Sequence, residues 1–427
     1  MKKKLIAAVL AAACTVVSIC ACSPKEEQEE NVFTGSVTKT PSYQAHLDAI
    51  SPEAYSNMDG LDLEPGTYIS VIGKDGGTPY WSQIQAGVAQ AASDLNKALG
   101  YEGNDKIKVL FNAPSGENID EQVNILDEEL ARYPDVIAIA SIDDTASSVQ
   151  FDLAAENGIP IVAFDSGNTY QGIQCTCRTD NAKAAAEGAK RLCGYIEESG
   201  EVLILIHDST SENAKERAAA IQEELRSNHP DVTEAETIYI DQLTDLKRKA
   251  AAEQLGIPEE ELAKALAGEE EKPEQTEEAG AEPSESPETE EEKSLAAKLQ
   301  EIDKAADAMS DEDAIIYVMA KHPEIKGICA TDAVSSQLAV STLKKAEKAE
   351  EITIVGFDAG RAQIDSLKNG EIKGLIVQNP FGMGYSAVIA AARTVLEIGN
   401  EARVDTGYIW ADADNMNEKE ISGMLYE

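Results

Sequence analysis

From Thr67 onward, short runs that are apolar at nearly every position alternate with longer segments whose apolar residues recur every three or four places. The short runs fall at 68–72, 107–111, 136–140, 161–164, 202–206, 238–240, 327–330, 352–357 and 374–377. Each is of strand length, and strands that are apolar throughout are those buried on both faces. Between most of them, residues 81–99, 118–132, 180–196 and 211–227 carry helical periodicity. Such alternation predicts parallel sheets covered by helices on both sides. Nine strands suit two sheets better than one, so the predicted fold class is α/β, with two doubly wound parallel-sheet lobes.

Two stretches break the rhythm. The chain opens with Met1-Lys2-Lys3-Lys4, an apolar run over 5–19, and the close Ile19-Cys20-Ala21-Cys22. A basic start, a short apolar core and small residues before the cut make a secretory signal. Its close resembles a bacterial lipobox, whose cysteine becomes the lipidated first residue of the mature protein. Residues 1–21 are thus predicted to be a lipoprotein signal peptide and Cys22 the lipidation site, which gives a two-chain membrane anchor. Residues 22–65, polar and punctuated by Pro24, Pro41, Pro52 and Pro65, read as a flexible tether. The second stretch, 268–294, is mostly Glu with Pro, Ser, Thr and Gly. It has almost nothing to bury, so an acidic disordered insertion is predicted there. Helical periodicity resumes near Leu295 and runs to about His322.

Charge narrows the partners. Lys plus Arg number 36 against 78 Asp plus Glu, a net charge of −42. Such a surface repels phosphate backbones, so no nucleic-acid partner is expected. The histidines, His46, His207, His229 and His322, show no metal-ligand spacing, and neither a metal nor a cofactor is predicted. Beyond Cys22, the mature chain keeps Cys175, Cys177, Cys193 and Cys329. Cys175 and Cys177 share one side of a strand, which is poor disulfide geometry, and small buried thiols are expected.

In open parallel sheets, ligands bind beyond the carboxyl ends of the strands. Those ends carry Lys74 to Trp81, Ser141 to Thr145, Asp165 to Asn168, His207-Asp208, Thr331-Asp332, Asp358 and Gln378-Asn379. Carboxylates, hydroxyls and amides converge there beside two adjacent aromatics, Tyr80 and Trp81. No nucleophile with a base, phosphate loop or metal set accompanies them, so no enzyme is predicted. Paired acceptors and donors suit sugar hydroxyls, and aromatic rings suit the C–H faces of sugars.

The ordered motifs Thr78-Pro79-Tyr80-Trp81, Asn157 to Ser166, Thr179-Asp180-Asn181, Ile354 to Asp358 and Val377 to Pro380 carry a resemblance over residues 67–408. The chain resembles the ribose-type sugar-binding proteins of bacterial ABC importers, of the type I periplasmic-binding-protein kind. The resemblance implies two lobes, 66–178 with 379–408 and 179–378 with 409–427. A three-strand hinge would join them near Arg178, Gln378 and Gly407. It also implies a ligand cleft in which Tyr80 and Trp81 stack on the ring. Asp165, Arg217, Asp358 and Gln378 would bond its hydroxyls, and Thr78, Ser166 and Thr331 occupy further family contact positions. Where those proteins have Asn, Arg and Asn, this chain has Thr78, Ser166 and Thr331, which argues against ribose itself. The implied function is a monomeric, extracytoplasmic lipoprotein on the cell membrane that delivers a sugar-like solute to an ABC importer permease. The alternative is a sensory binding protein that presents its ligand to a membrane receptor kinase.

Overall fold

The computed structural model describes residues 41–270 and 290–426. The signal peptide, Cys22 and residues 271–289 lie outside that range. In chain order the strands are β1 (Tyr68–Ile72), β2 (Lys108–Asn112), β3 (Val136–Ile139), β4 (Ile161–Phe164), β5 (Ile173–Arg178), β6 (Gly200–Ile206), β7 (Val232–Tyr239), β8 (Ile325–Ala330), β9 (Thr353–Phe357), β10 (Gly374–Gln378), β11 (Arg403–Asp405) and β12 (Tyr408–Asp412). They form two six-stranded sheets, ordered β11-β5-β4-β3-β1-β2 and β12-β10-β9-β8-β6-β7. Every pairing is parallel except that of β10 with β12. β3, β4 and β10 are buried along their whole length, as central parallel strands between two helical layers must be.

The chain passes between the sheets three times. After β5 it enters the helix Asn181–Tyr195, whose Ala184, Ala185 and Leu192 pack on Val202 and Ile204 of the second sheet. After β10 it returns through the helix Pro380–Val395, whose Phe381 and Tyr385 join the core of the first lobe. The third passage is the short link from β11 to β12. Pro380–Val395 crosses the helix Pro79–Leu99 at close range, because glycine faces glycine. A Cβ on Gly87 would stand 2.0 Å from the Phe381 carbonyl oxygen, and one on Gly384 2.1 Å from that of Ile84. This contact holds the helix whose first turn carries Tyr80 and Trp81.

Two expectations are corrected. The tether does not extend to residue 65, because residues 43–64 are part of the first lobe. Leu47, Ile50, Tyr55, Leu61 and Leu63 are buried in its core, and Ser51 exchanges backbone bonds with Asp405 at 2.8 and 3.0 Å. These apolar residues are too widely spaced to form a periodic face, so polar composition hid them. The disorder predicted over 268–294 does not hold at either end of that stretch, where residues 268–270 and 290–294 are helical. The helix Glu259–Glu270 runs into it and Glu290–Asp307 emerges from it. With Leu243–Gln254 they enclose a small core of their own, around Ala251, Leu262, Leu299 and Ile302. The helical stretch to His322 is broken at Ser310, which caps the helix Asp311–Lys321 in a capping box with Asp313. Among the described residues, no helix is long and apolar enough to cross a membrane.

Candidate functional site

The carboxyl ends of β1 and β4 face those of β6, β8, β9 and β10 across a cavity of about 790 Å³. That is within the range of roughly 300–1,000 Å³ typical of small-molecule sites. Both walls are built at strand-to-helix turns. On the first lobe, Thr78 caps the helix Pro79–Leu99, accepting the Trp81 N–H at 3.4 Å, with Pro79 at the first helical position. This sets Tyr80 and Trp81 at the rim. Trp81 is buried, edge-on to Phe164 at 6.3 Å, whereas Tyr80 is half-buried and edge-on to Tyr426 of the other lobe at 6.1 Å.

Asp165 and Asp358 mark the ends of β4 and β9. Both are buried and both sit at positive φ, 54° and 67°. Aspartate tolerates that region better than most side chains. Each donates its amide to the neighbouring strand, Asp165 to the Cys177 carbonyl at 3.0 Å and Asp358 to that of Ile376 at 2.8 Å. The Tyr80 hydroxyl donates to Asp165 Oδ1 at 2.6 Å. Asp358 Oδ1 accepts Gln378 Nε2 and the Tyr426 hydroxyl, each at 2.9 Å, while its Oδ2 accepts the Ala333 amide at 3.1 Å. Burial raises the Asp358 carboxyl above its ordinary value, against the pull of Arg217 and the bonds from Gln378 and Tyr426. Burial and the same carboxylates push the Tyr80 and Tyr426 hydroxyls well up, so both remain protonated donors.

Arg217 is the hub of the second-lobe wall. It donates from Nε to Asn181 Oδ1 at 2.8 Å, and from its two terminal nitrogens to the Thr331 carbonyl at 2.6 Å and Gln378 Oε1 at 2.8 Å. Its guanidinium also lies over the Phe357 ring, 4.7 Å from the centroid. Every donor of this group that bonds to protein is spent on orientation, so the planar cation is fixed before a ligand arrives.

Seven of the nine residues expected from the sequence line this cavity: Thr78, Tyr80, Trp81, Asp165, Arg217, Asp358 and Gln378. Ser166 and Thr331 do not. The Ser166 hydroxyl donates to the Ser141 carbonyl at 2.6 Å, and that of Thr331 to the Leu205 carbonyl at 3.2 Å. Both are buried behind the wall rather than in it. Sequence reasoning missed Lys74, His207 and Tyr426. Lys74 is buried and pairs with Glu117 at 3.4 Å. Burial opposes its charge, but Glu117, Asp165 and Asp208 outweigh burial and hold the ammonium above its ordinary value. Burial lowers the His207 imidazole, with Arg217 and Lys74 adding to the effect and Asp332 and Asp208 opposing it, and the ring sits beside Thr331 and Asn213. The first two follow strands and were visible as such. Nothing in the sequence around Tyr426 signals its role.

The walls together offer carboxylate and amide acceptors, fixed amide, ammonium and guanidinium donors, and an aromatic rim. This is equipment for holding a polar molecule. A sequence model of the periplasmic binding protein domain matches residues 69–266 and 287–399. The chain therefore belongs to the periplasmic binding protein family, a family of binding proteins and not of enzymes. No curated protein sequence matches the chain. Among solved structures, it is similar to an ABC transporter solute-binding protein from Agrobacterium vitis bound with α-D-tagatopyranose. Their identity is 20%, with 84% of this chain and 99% of that one covered and a TM-score of 0.61. A carbohydrate transporter solute-binding protein from Agrobacterium radiobacter, in complex with D-arabinose, is similar at 21% identity, covering 84% and 98%, with a TM-score of 0.60. An arabinose-binding protein from Geobacillus stearothermophilus follows at 20%, covering 83% and 99%, with a TM-score of 0.59. At these identities the likeness is one of fold: two parallel-sheet α/β lobes of the type I kind.

Proposed function

We propose that this periplasmic binding protein is an extracytoplasmic lipoprotein, anchored through Cys22, that captures a sugar or similar polyhydroxylated molecule and delivers it to an ABC importer. The observation that carries the reading is the facing pair Asp165 and Asp358, one from each lobe, beside Arg217, Gln378 and the Tyr80–Trp81 rim. A carboxylate accepts two hydroxyls at once, and a fixed guanidinium and amide donate to ring and hydroxyl oxygens. Tyr80 and Trp81 offer apolar area to C–H faces. Ligands with hydroxyls on both sides would draw the lobes together about the three links, which then act as a hinge. The structures of relatives that hold tagatose and arabinose favour the same class of solute here.

A thermal-shift screen against monosaccharides, polyols and nucleosides, followed by isothermal titration of the hits, tests this. A cleft ligand raises the melting temperature by mass action, by about 2.7 kcal/mol of stability at a hundredfold excess over Kd. A hit whose affinity is the same for Asp165→Asn, Asp358→Asn and the unmodified chain would end the cleft assignment. Cys22→Ala should release the protein from the membrane or leave its signal uncut. A variant that stays anchored after normal cleavage would overturn the lipidation site.

A further inference from the structure

The second lobe carries a side-chain cluster that the cleft does not use. Cys193 lies in the last turn of the helix Asn181–Tyr195 and is fully buried. His229 ends the helix Glu212–Asn228, its amide bonded to the Leu225 carbonyl at 3.1 Å, and is also buried. Between them the chain turns through Glu197 and Glu198, at φ of 58° and 55°, and the Glu198 amide returns to the Cys193 carbonyl at 2.9 Å. The Cys193 sulfur, a His229 ring nitrogen and a Glu198 carboxylate oxygen then lie within 4.8 Å of one another. Glu198 engages His229 Nδ1, and Glu224 faces the other ring nitrogen, Nε2, at 3.3 Å.

We propose that Cys193, His229 and Glu198 bind one Zn²⁺ ion, with Glu224 orienting the imidazole. The donor set is one sulfur, one nitrogen and one oxygen, the mixture that a borderline-soft, tetrahedral ion accepts. Bonds of roughly 2.0–2.3 Å to a tetrahedral ion place donors roughly 3.3–3.8 Å apart, so the cluster is near the required size. His229 and Cys193 are held by their helices. Glu198, half-exposed, is the ligand free to step back from the imidazole and admit the ion. Glu224 supplies the carboxylate that commonly fixes a metal-bound histidine from behind. Access exists as well: His229 and Glu224 line a surface depression with Asn228, Glu187, Lys183 and Lys190. The two lysines oppose a cation, but two carboxylates of the same depression, Glu187 and Glu224, answer them, and Lys183 is paired with Asp180 at 2.5 Å. With three protein donors, the fourth position falls to water. The bound ion joins the ends of two helices to the turn that leads into β6, and should stiffen that side of the lobe.

The test uses the intact chain, stripped with a chelator and titrated with Co²⁺ alone. The expected result is one equivalent bound, a thiolate-to-cobalt charge-transfer absorption, and loss of that absorption when Zn²⁺ displaces cobalt. Cys193→Ser should abolish the absorption. Glu224→Gln should keep it and weaken binding by about 10- to 100-fold. His229→Gln, checked for folding by circular dichroism, should reduce uptake even if the cysteine variant does not fold. No uptake by the unmodified chain overturns the proposal, as does a folded His229→Gln protein that binds Co²⁺ equally well. An absorption that survives Cys193→Ser overturns it too, and would point to Cys175 and Cys177, whose sulfurs lie 3.9 Å apart.

Discussion

Asp165 and Asp358 occupy matching places in the two lobes but are bonded differently. Each follows the phenylalanine that ends its strand, each has positive φ, and each returns its amide to the adjacent strand. Yet the Asp165 carboxylate accepts one bond, from the Tyr80 hydroxyl, whereas that of Asp358 accepts three, two from the Gln378 and Tyr426 side chains and one from the Ala333 backbone amide. An ionised carboxylate has about four acceptor positions. The second-lobe aspartate is therefore largely satisfied by its own wall, and the first-lobe aspartate keeps most of its capacity. One repeated turn thus supplies a group that the fold uses heavily and another held open for a ligand.

The largest expected effect tests what holds the open one in place. Trp81 packs under Gly73 and against Phe164, directly before Asp165. Trp81→Ala should cost about 3–5 kcal/mol of stability, read by denaturant unfolding, because it empties a filled core site. A cost below about 1 kcal/mol would show that the first-lobe wall does not depend on this packing. Next comes the aspartate pair. Asp165→Asn and Asp358→Asn should each weaken binding by about 1–3 kcal/mol, or roughly 5- to 150-fold, in titration calorimetry. Only Asp358→Asn should also lower the melting temperature of the ligand-free protein, since it alone leaves several protein donors mismatched. Equal melts would erase the distinction between the two sites.

A smaller effect sharpens it through pH. Burial raises the Asp358 carboxyl, so the folded protein holds this proton more tightly than the unfolded chain. Its stabilising contribution is complete below the ordinary value of 3.8 and is lost as pH rises through the folded value. Asparagine cannot ionise and escapes that loss. The melting-temperature deficit of Asp358→Asn should therefore narrow as the pH rises above the ordinary value of 3.8. A deficit that widens would mean that Arg217 and the donors to the carboxylate overcome burial.

How legible these features were depends on the kind of signal each leaves. The strands flanking the cleft, β1, β4, β9 and β10, are apolar because both faces are buried, and they stood out as runs. Their ends then located Asp165, Asp358 and Gln378. β7 begins at Val232, well before its apolar close, because it is an edge strand with Thr233, Glu234 and Glu236 exposed or half-exposed. β5, with Gln174, Thr176 and Arg178, has no apolar run either. Tyr426 reaches Asp358 over 68 residues of sequence, and Cys193, Glu198 and His229 meet across separate elements. Contacts of that kind are made by tertiary packing and have no local pattern to read.

The smallest expected effect concerns size. The second lobe has outgrown the first through its helical insertion, yet the cavity lining includes nothing between Arg217 and Asp332. The small core around Leu262, Leu299 and Ile302 is closed among its own helices. Joining residue 270 to 290 by a short Gly/Ser linker removes an acidic stretch and leaves those helices intact. Shortening a long loop changes its closure entropy by only about 0.6 kcal/mol per halving, so the melting temperature should barely move. Ligand affinity should stay within about twofold, because neither flanking helix contributes a residue to the cavity lining, and salt screens exposed charges over about 8 Å. A larger loss of affinity, restored by adding salt, would show that the acidic stretch acts on the cleft through its field. A loss that salt does not restore would show direct contact, and the difference in size between the lobes would then belong to the binding site.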